Sequence, residues 1–443
     1  MAFLVLFAAI IFVLGAPPVR VMVQGQQAGF LRIDCGLDAS VGYTDNSDIE
    51  YVPDGQYVDA GENHKIAPEF LGRWTRPYQT LRSFPSGPRN CYALPTMAGT
   101  KYLVRAEFVY GNYDGKNSSS LEFDLHLGPT IWRTINPVAA INLVGEAIFV
   151  AWAGSAPFCF VNTGRGTPFV SALELWPLGS ALYANVEPGI IISTYTRDNM
   201  GASVSTTRYP DDLYDRVWWP MEEASPRWVN ESTTQPIQVD SSLRVPSVVM
   251  QTAVAAAGND TALTAITWED DRKYSFMVFL YFADFQDTKL RQFDIHLNQN
   301  QSGPVYKSFK PDYLYATYMY LESYWAPDGK YNITLAATAT SVLPPMINAL
   351  EIYMRIPYES PTTLPQDSRS PLSPAQSPVL ATEINVTDSA DMDSDVSTHM
   401  DDDVAADIDD DVDAYVDDNA AAYVDDDVAS YMALMMTWVL TWI

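Results

Sequence analysis

Apolar and polar residues alternate with a period of two in several segments of the chain. Between residues 102 and 110 the apolar side chains fall on one face, and Arg105 and Glu107 fall on the other; residues 274–282 show the same alternation. This period is that of a β-strand with one buried face. Because many such segments occur and no long helical pattern interrupts them, we predict an all-β protein whose folded units each contain two packed antiparallel sheets.

Three of these segments recur in the same order, which indicates a tandem duplication. The pairs are KYLVRAEFVYGNYDG from Lys101 with KYSFMVFLYFADFQD from Lys273, EFDLHLG at Phe123 with QFDIHLN at Phe293, and TPFVSALELWPL at Glu174 with LPPMINALEIYM at Glu351. Their spacing is nearly constant, as expected when loops of different length join equivalent strands. The duplication predicts two β-sandwiches, at residues 29–177 and 228–356.

The segments outside these units differ in composition. Within the connector, residues 178–227, the stretch RYPDDLYDRVWWP is rich in aromatic residues, so we expect it to pack between the sandwiches and fix their angle. Residues 357–380 are rich in proline, which favours an extended, unfolded spacer.

The net charge of −29 is concentrated near the C-terminus. Residues 381–443 contain 17 Asp and one Glu with no Lys or Arg, and the acidic part, 381–430, is predicted to be disordered. This stretch has no glycine for a calcium-binding turn, so a calcium site is not expected. The remainder is moderately acidic without a basic stripe, which makes nucleic acid an unsuitable partner.

Both ends of the sequence are apolar. The run from Ala2 to Gly15 predicts a signal peptide over residues 1–25, cleaved before Gln26. Residues 431–443 are too few for a membrane helix, which needs about 20. They are compatible with a GPI-type tail, an interfacial anchor or a misassembled reading frame. The expected location is the secretory pathway, and then the extracellular space or the plasma membrane.

Six Asn-X-Ser/Thr sequons support a secreted glycoprotein, since glycans require exposed positions. The sequons are at Asn117, Asn230, Asn259, Asn300, Asn332 and Asn385.

The three cysteines allow at most one intramolecular disulfide. We predict that Cys35 pairs with Cys91, because Cys159 lies in the strand-like run FCFV and is expected to pack as a buried apolar residue. No CxxC motif occurs and the chain has four His, so no metal site and no cofactor are expected.

Seven motifs together resemble the malectin-like ectodomains of plant leucine-rich-repeat receptor-like kinases. They are GFLRIDCG, RSFPSGPRNCY, YGNYDG, EFDLHLG, TPFVSALEL, RYPDDLYDRVWWP and PPMINALEIY, spread over roughly residues 28–356. The resemblance implies two tandem malectin-like sandwiches of the jelly-roll type outside the plasma membrane, in proteins of cell-wall, growth, symbiosis or immune signalling. The sequence has no leucine-rich repeat, full membrane helix or kinase motif, which implies a co-receptor, a soluble decoy or a gene fragment.

The candidate ligand-binding residues follow from the loop after the repeated strand. Sugar recognition requires aromatic faces together with acidic or amide groups. The first copy of the loop offers Tyr110, Asn112, Tyr113 and Asp114, and the second offers Tyr281, Phe282, Asp284 and Phe285. The stretch Tyr281-Phe282-Ala283 is similar to the saccharide-contacting Tyr-Phe-Ala of animal malectin. A cell-wall oligosaccharide is therefore one expected ligand.

Other interpretations of these residues remain open. By alternation, Tyr110 and Phe282 are also expected core residues. A groove between the sandwiches, lined in part by Trp218 and Trp219, would suit a secreted peptide or a receptor kinase ectodomain.

Catalysis is not expected from this sequence. His126 and His296 occupy equivalent positions that the duplication explains, and they are interpreted as surface residues. Glycoside hydrolysis is an alternative function, but no specific pair of carboxylates is marked for it.

Overall fold

The computed structural model describes residues 30–45, 49–138, 140–202, 206–221, 227–239, 244–270, 272, 274–298, 303–359, 363–364 and 367. The predicted signal peptide, the acidic segment, the apolar C-terminus and the sequons at Asn300 and Asn385 lie outside these residues.

Thirteen strands form the first half of the fold. They are β1 Leu31–Asp34, β2 Tyr43–Thr44, β3 Glu50–Pro53, β4 Glu62–Lys65, β5 Thr80–Ser83, β6 Arg89–Pro95, β7 Lys101–Phe108, β8 Glu122–Leu127, β9 Thr130–Ile135, β10 Leu143–Val150, β11 Ser155–Arg165, β12 Phe169–Val170 and β13 Ala172–Leu178. Short 3-10 helices at Asp54–Gln56, Pro68–Arg73 and Arg76–Tyr78 lie among them.

Two strands follow in the predicted connector, and eleven strands and one short helix form the second half. These elements are β14 Ile190–Met200, β15 Trp219–Met221, β16 Trp228–Ser232, β17 Gln238–Val239, α1 Ser247–Met250, β18 Thr252–Ala256, β19 Ala262–Glu269, β20 Ser275–Phe282, β21 Phe293–Leu297, β22 Tyr306–Phe309, β23 Tyr315–Tyr324, β24 Lys330–Ala337, β25 Met346–Ile347 and β26 Ala349–Pro357.

One 12-stranded sheet runs through both halves. Its order is β17-β23-β20-β26-β14-β10-β7-β13-β1-β3-β2, with β15 paired to β14. A four-stranded sheet, β6-β11-β8-β9, faces it in the first half, and a second four-stranded sheet, β19-β24-β21-β22, faces it in the second half. The all-β prediction of two sandwiches is confirmed, and the structure adds that both sandwiches share one sheet.

The strands that carry the repeated segments have equivalent partners. In the large sheet β7 lies between β13 and β10, and β20 lies between β26 and β23. In the smaller sheets β8 lies between β11 and β9, and β21 lies between β24 and β22. The pairing pattern is therefore duplicated together with the sequence.

Aromatic side chains fill the space between the sheets of each sandwich. In the first, Phe108 of β7 lies 5.6 Å from Phe123 of β8, measured between ring centroids. In the second, Phe282 of β20 lies 5.6 Å from Phe293 of β21. The apolar face predicted by the period of two is thus the face that packs into the sandwich interior.

The opposite face of the large sheet is also buried, which differs from the half-exposed strands that we predict from the sequence. Every residue of β7 is buried, including Arg105 and Glu107. The connector covers this face, and its Leu182, Tyr183 and Trp218 pack in the same apolar cluster as Phe279 of β20.

The connector also supplies the strand that joins the two halves. On one edge β14 pairs with β10 of the first half, and on the other edge it pairs with β26 of the second half. Its sequence IIISTYTRDNM begins with a β-branched apolar run, which favours a buried strand.

The predicted disulfide is wrong. Cys91 is bonded to Cys159, and Cys35 is a buried free thiol. The physical reason is the strand register, because β6 and β11 are antiparallel neighbours that place Cys91 directly opposite Cys159. Residue pairs in direct register lie within disulfide range, so the strand-like character of FCFV does not argue against a bond there.

The residues that follow β26 contact the first sandwich at the start of the predicted proline-rich spacer, and most of residues 357–380 lie outside the described residues. Pro357 is the last residue of β26 and still pairs with β14. The hydroxyl of Tyr358 donates to the Val150 carbonyl at 3.1 Å. Arg89 forms two hydrogen bonds with the Asp367 carboxylate, at 2.9 and 2.8 Å. These described residues of the predicted spacer therefore pack on the first sandwich.

Candidate functional site

The predicted loop of the first copy is held by its own hydrogen bonds. The buried Tyr110 donates its hydroxyl proton to Asp114 Oδ1 at 2.5 Å, and Asn112 Oδ1 accepts from the backbone N–H of Asn117 at 2.8 Å. Tyr113 is half-buried, and its ring lies 5.6 Å from that of Phe169. The structure brings these four predicted residues together, but it leaves Tyr110 no free ring face.

The predicted residues of the second copy are more deeply buried. The Tyr281 hydroxyl donates to Glu351 Oε1 at 2.9 Å, and the ring of Phe282 lies 4.8 Å from that of Phe309 in the core. Asp284 is buried and accepts a 3.0 Å hydrogen bond from Arg291, and Phe285 is half-buried. Phe282 thus packs as a core residue, the alternative that alternation already allowed, and Tyr281 is buried on the opposite face of the strand.

The two predicted tryptophans face different environments. Trp218 is buried, and its indole N–H donates to Asp212 Oδ2 at 2.8 Å. Trp219 is 44% exposed, so of these two residues Trp219 is accessible to a binding partner. Side chains alternate along a strand, which explains why neighbouring residues differ so strongly.

A buried ionic network lies between the connector and the large sheet. The Arg105 guanidinium donates to Glu146 Oε2 at 2.9 Å, to Glu174 Oε2 at 2.6 Å and to Asp215 Oδ2 at 2.9 Å. Arg208 adds a hydrogen bond of 2.8 Å to Asp215 Oδ1. Because Asp215 and Arg208 belong to the connector, this network fixes the connector to the first sandwich.

The network continues into the second half. Arg197 of β14 donates to Glu146 Oε1 at 2.6 Å and to the hydroxyl of Tyr353 on β26 at 2.8 Å. Glu351 of β26 accepts a 2.7 Å hydrogen bond from the Tyr183 hydroxyl of the connector. Both halves and the connector are therefore linked through charged and hydroxyl groups that are removed from water.

Paired charges control protonation within this network. Burial alone would raise the pKa of Glu146, but the guanidinium groups of Arg197 and Arg105 lower it to about 2. Burial likewise opposes ionisation of Asp215, and the charges of Arg105 and Arg208 hold its pKa below the usual range. Both carboxylates are ionised at neutral pH, so the network is made of ion pairs.

A second feature is a polar surface on β14 where the two sandwiches meet. Tyr195 is the extra residue of a β-bulge between Thr194 and Thr196, and it is 40% exposed. Its ring lies 6.2 Å from that of Trp268 on β19 of the second sandwich. From the first sandwich, Arg133 on β9 donates to the Thr194 carbonyl at 3.3 Å.

Asp198 and Trp219 extend this surface. They are register partners in the parallel pair formed by β14 and β15, so their side chains project from the same face. We call Tyr195, Asp198 and Trp219 the junction surface. Trp219 could be selected from the sequence but the other two residues could not, and the bulge that exposes Tyr195 has no clear sequence signature.

The two equivalent histidines lie on the equivalent strands β8 and β21. His126 is half-buried, and its Nδ1 lies 2.9 Å from the carbonyl oxygen of Pro129. Burial lowers the pKa of His126, which favours the neutral ring at physiological pH. On β21, His296 is half-buried and pairs with Thr334 of β24 in the strand register.

Sequence relatives of this chain are receptor kinases. The chain is 36% identical over 360 residues to a probable LRR receptor-like serine/threonine-protein kinase of Arabidopsis thaliana, covering 79% of this chain and 41% of that protein. It is 32% identical over 335 residues to the LRR receptor-like serine/threonine-protein kinase IOS1 of the same plant, covering 74% and 36%. The chain thus spans about two fifths of the length of these curated relatives.

Solved structures with this fold are receptor ectodomains. The ANX2 ectodomain from Arabidopsis thaliana matches with a TM-score of 0.60 at 18% identity, covering 76% of this chain and 98% of that one. A structure of the plant peptide RALF23 in complex with FER and LLG2 matches with a TM-score of 0.60 at 16% identity, covering 75% and 96%. At this identity, the likeness concerns the fold.

None of the helices in the described ranges is long and apolar enough to cross a membrane. The family model for the malectin-like domain matches residues 33–355, which include both sandwiches and the connector. By this match, the chain belongs to the malectin-like domain family.

Proposed function

We propose that this malectin-like region recognises a secreted peptide, or the ectodomain of a partner receptor, through the connector and the second sandwich. The observation that carries the proposal is the distribution of exposed aromatic side chains. Among the described residues, the exposed ones are Tyr195, Trp219, Tyr313, Tyr315, Tyr318 and Trp325. All of them follow β13, and the exposed large apolar residues of the first sandwich are aliphatic, for example Val41 and Met97.

Such a distribution suits a protein interface. Tyrosine and tryptophan are enriched where proteins bind one another, because they bury a large apolar area and keep a polar group that can form hydrogen bonds. A shared sheet and a buried ionic network hold the two halves, so the surface is formed before binding. A preformed surface lowers the entropic cost of association.

The burial of Tyr281 and Phe282 weighs against the saccharide alternative. A sugar ring that stacks on an aromatic residue needs one open face of the ring, and both side chains are almost fully buried. The hydroxyl of Tyr281 is also engaged by Glu351. Saccharide binding at this position would require the strand to leave the sheet.

FER, which has a similar fold, also supports recognition of a peptide or a partner protein. It was solved with the plant peptide RALF23 and with LLG2, so a malectin-like ectodomain can take part in a complex with a peptide and another protein. We propose that the present chain acts in this way outside the cell, as part of a receptor-like protein, as a co-receptor or as a soluble decoy.

The test is a parallel screen of the full chain, purified from a secretory host. One arm uses a yeast-displayed library of secreted Arabidopsis thaliana peptides, and the other uses a glycan array of cell-wall oligosaccharides. We expect saturable binding to individual peptides and no saturable binding on the array. Saturable glycan binding, together with a silent peptide library, would overturn the proposal.

A further inference from the structure

Asp198 occupies an unusual position in the junction surface. It is 5% exposed, yet its register partner Trp219 is 44% exposed and Tyr195 is 40% exposed. Asp198 is thus the buried member of a set whose two aromatic side chains reach solvent. The three residues belong to the strand and the edge where the halves of the fold meet.

The Asp198 carboxylate is only partly satisfied. Its Oδ1 accepts a 2.7 Å hydrogen bond from the Thr196 hydroxyl, and its Oδ2 is buried without a hydrogen-bond partner. Burial raises the pKa of Asp198 to about 6, against the smaller opposing effects of Thr196 and Arg197. A buried acceptor without a partner is costly, and native proteins rarely retain one without a reason.

The neighbouring arginine side chains form hydrogen bonds with groups other than the Asp198 carboxylate. Arg197 projects to the opposite face, where it donates to Glu146 and Tyr353. Arg272 forms an ion pair with Asp270, with a hydrogen bond of 3.0 Å from its Nε to Asp270 Oδ2. Arg133 donates to the Thr194 carbonyl. In the described part of the chain, the hydrogen bonds of Asp198 thus leave room for an additional donor.

A guanidinium group matches these features. It donates hydrogen bonds to carboxylate oxygens, and its flat face stacks on indole and phenol rings. An ammonium group supplies the charge but not the planar stacking, and a neutral amide is planar but carries no charge. Outside residues 381–443, which carry −18 of the net charge of −29, the chain is still acidic at −11, which further favours a positively charged ligand.

We propose that Asp198, Trp219 and Tyr195 form a subsite for an arginine side chain of a secreted peptide. The subsite rests on the proposed peptide-binding function and names the chemistry that the peptide must carry. Asp198 Oδ2 accepts from the guanidinium, and Trp219 and Tyr195 cover its faces. The aromatic residues would shield the ion pair from water and strengthen it.

The test is a titration of the full chain labelled with 5-fluorotryptophan, followed by fluorine NMR. The Trp219 resonance is assigned with Trp219→Phe, and the probe is N-acetyl-arginine amide. N-acetyl-citrulline amide is the control, because it has nearly the same shape without the charge. We expect a saturable shift of the Trp219 resonance with the arginine probe, and at least tenfold weaker binding of the citrulline probe.

Two variants test the role of each group. Asp198→Asn keeps the size of the side chain and should weaken binding of the arginine probe at least tenfold. Tyr195→Ala changes an exposed position and should weaken it severalfold, so the proposal stays testable even if Asp198→Asn does not fold. Equal shifts with both probes, or unchanged binding in the folded variants, would overturn the subsite.

The titration and the peptide screen test different statements, so either one can fail without the other. If the screen yields peptides whose affinity does not change when their arginine residues are replaced by citrulline, the proposed function stands and the subsite is wrong. If the Trp219 resonance responds selectively to arginine but the library yields no peptide, the subsite stands and its ligand belongs to another class.

Discussion

Glu146 accepts a 2.6 Å hydrogen bond from Arg197 on the buried face of the large sheet, and the two residues belong to adjacent strands. Glu146 lies on β10 of the first sandwich, and Arg197 lies on β14, the strand shared with the second. The same guanidinium reaches Tyr353 of β26. This contact therefore couples the two halves more directly than a flexible linker would.

Removing one partner of this pair should destabilise the whole protein. Arg197→Met leaves the Glu146 carboxylate buried with fewer compensating charges, which typically costs about 3–5 kcal/mol. The measurement is urea unfolding followed by circular dichroism. The matched control is Lys330→Met, which removes an exposed pair with Glu269 and should change the free energy of unfolding by less than about 1 kcal/mol.

Two transitions in the unfolding of Arg197→Met, against a single one in the wild type, would show that the pair also makes the halves cooperative. A loss of less than about 1 kcal/mol would contradict the structural role assigned to the network.

The disulfide is predicted to connect Cys91 and Cys159 in the purified protein. Peptide mapping without reduction should recover this pair, and Cys35 should react with iodoacetamide only after unfolding, since it is fully buried. Replacing both Cys91 and Cys159 by Ala should cost about 2–5 kcal/mol. Recovery of a peptide that joins Cys35 to Cys91 would contradict the register of β6 and β11.

Asp198 should make the protein less stable as pH rises. Its pKa is about 6 in the folded state, above its ordinary value of 3.8, so the folded protein holds the proton more tightly. The resulting stabilisation is present below about pH 4 and is lost as pH rises through 6. Asp198→Asn should therefore raise the free energy of unfolding at pH 7.5, by on the order of 1–3 kcal/mol, and change it little at pH 4.

The measurement is urea unfolding of both proteins between pH 4 and 7.5. Equal pH profiles for the wild type and Asp198→Asn would show that Asp198 is not responsible. If the variant is more stable but no longer binds the arginine probe, Asp198 lowers the stability of the fold and is required for arginine binding.

Glycan occupancy should follow exposure. Asn117, Asn230 and Asn259 are exposed, whereas Asn332 is half-buried in β24 and its Oδ1 is buried. We expect glycans at the three exposed sequons and low occupancy at Asn332, measured by mass spectrometry of glycopeptides from the folded protein. Full occupancy at Asn332 would mean that β24 is more open than its pairing with β19 and β21 indicates.

Much of the fold could be predicted because strand alternation and duplication are local signals. The segments at Phe123 and Phe293 each indicate a strand, and each strand has the predicted buried face. The shared sheet could not be predicted in this way. The alternation of apolar and polar residues shows that Arg105 lies on the second face of β7, but it does not show which segment covers that face.

The candidate site shows the same limit. The tripeptide that begins at Tyr281 is similar in sequence to a saccharide-binding stretch. In the structure, however, Tyr281 lies inside the large sheet as a core residue and donates to Glu351. Trp219 could be selected because aromatic residues are conspicuous in a connector. Asp198 could not, because its significance depends on a register partner 21 positions further along the chain.

Calorimetry with one peptide from the display screen tests the proposal that the junction surface binds a peptide. The comparison is between the wild type, Trp219→Ala and Tyr281→Phe, where the last removes a buried hydroxyl. We predict that Trp219→Ala weakens peptide binding at least tenfold and that Tyr281→Phe leaves it within twofold. Full affinity in Trp219→Ala would contradict the claim, and loss of affinity only in Tyr281→Phe would place binding at the predicted saccharide loop.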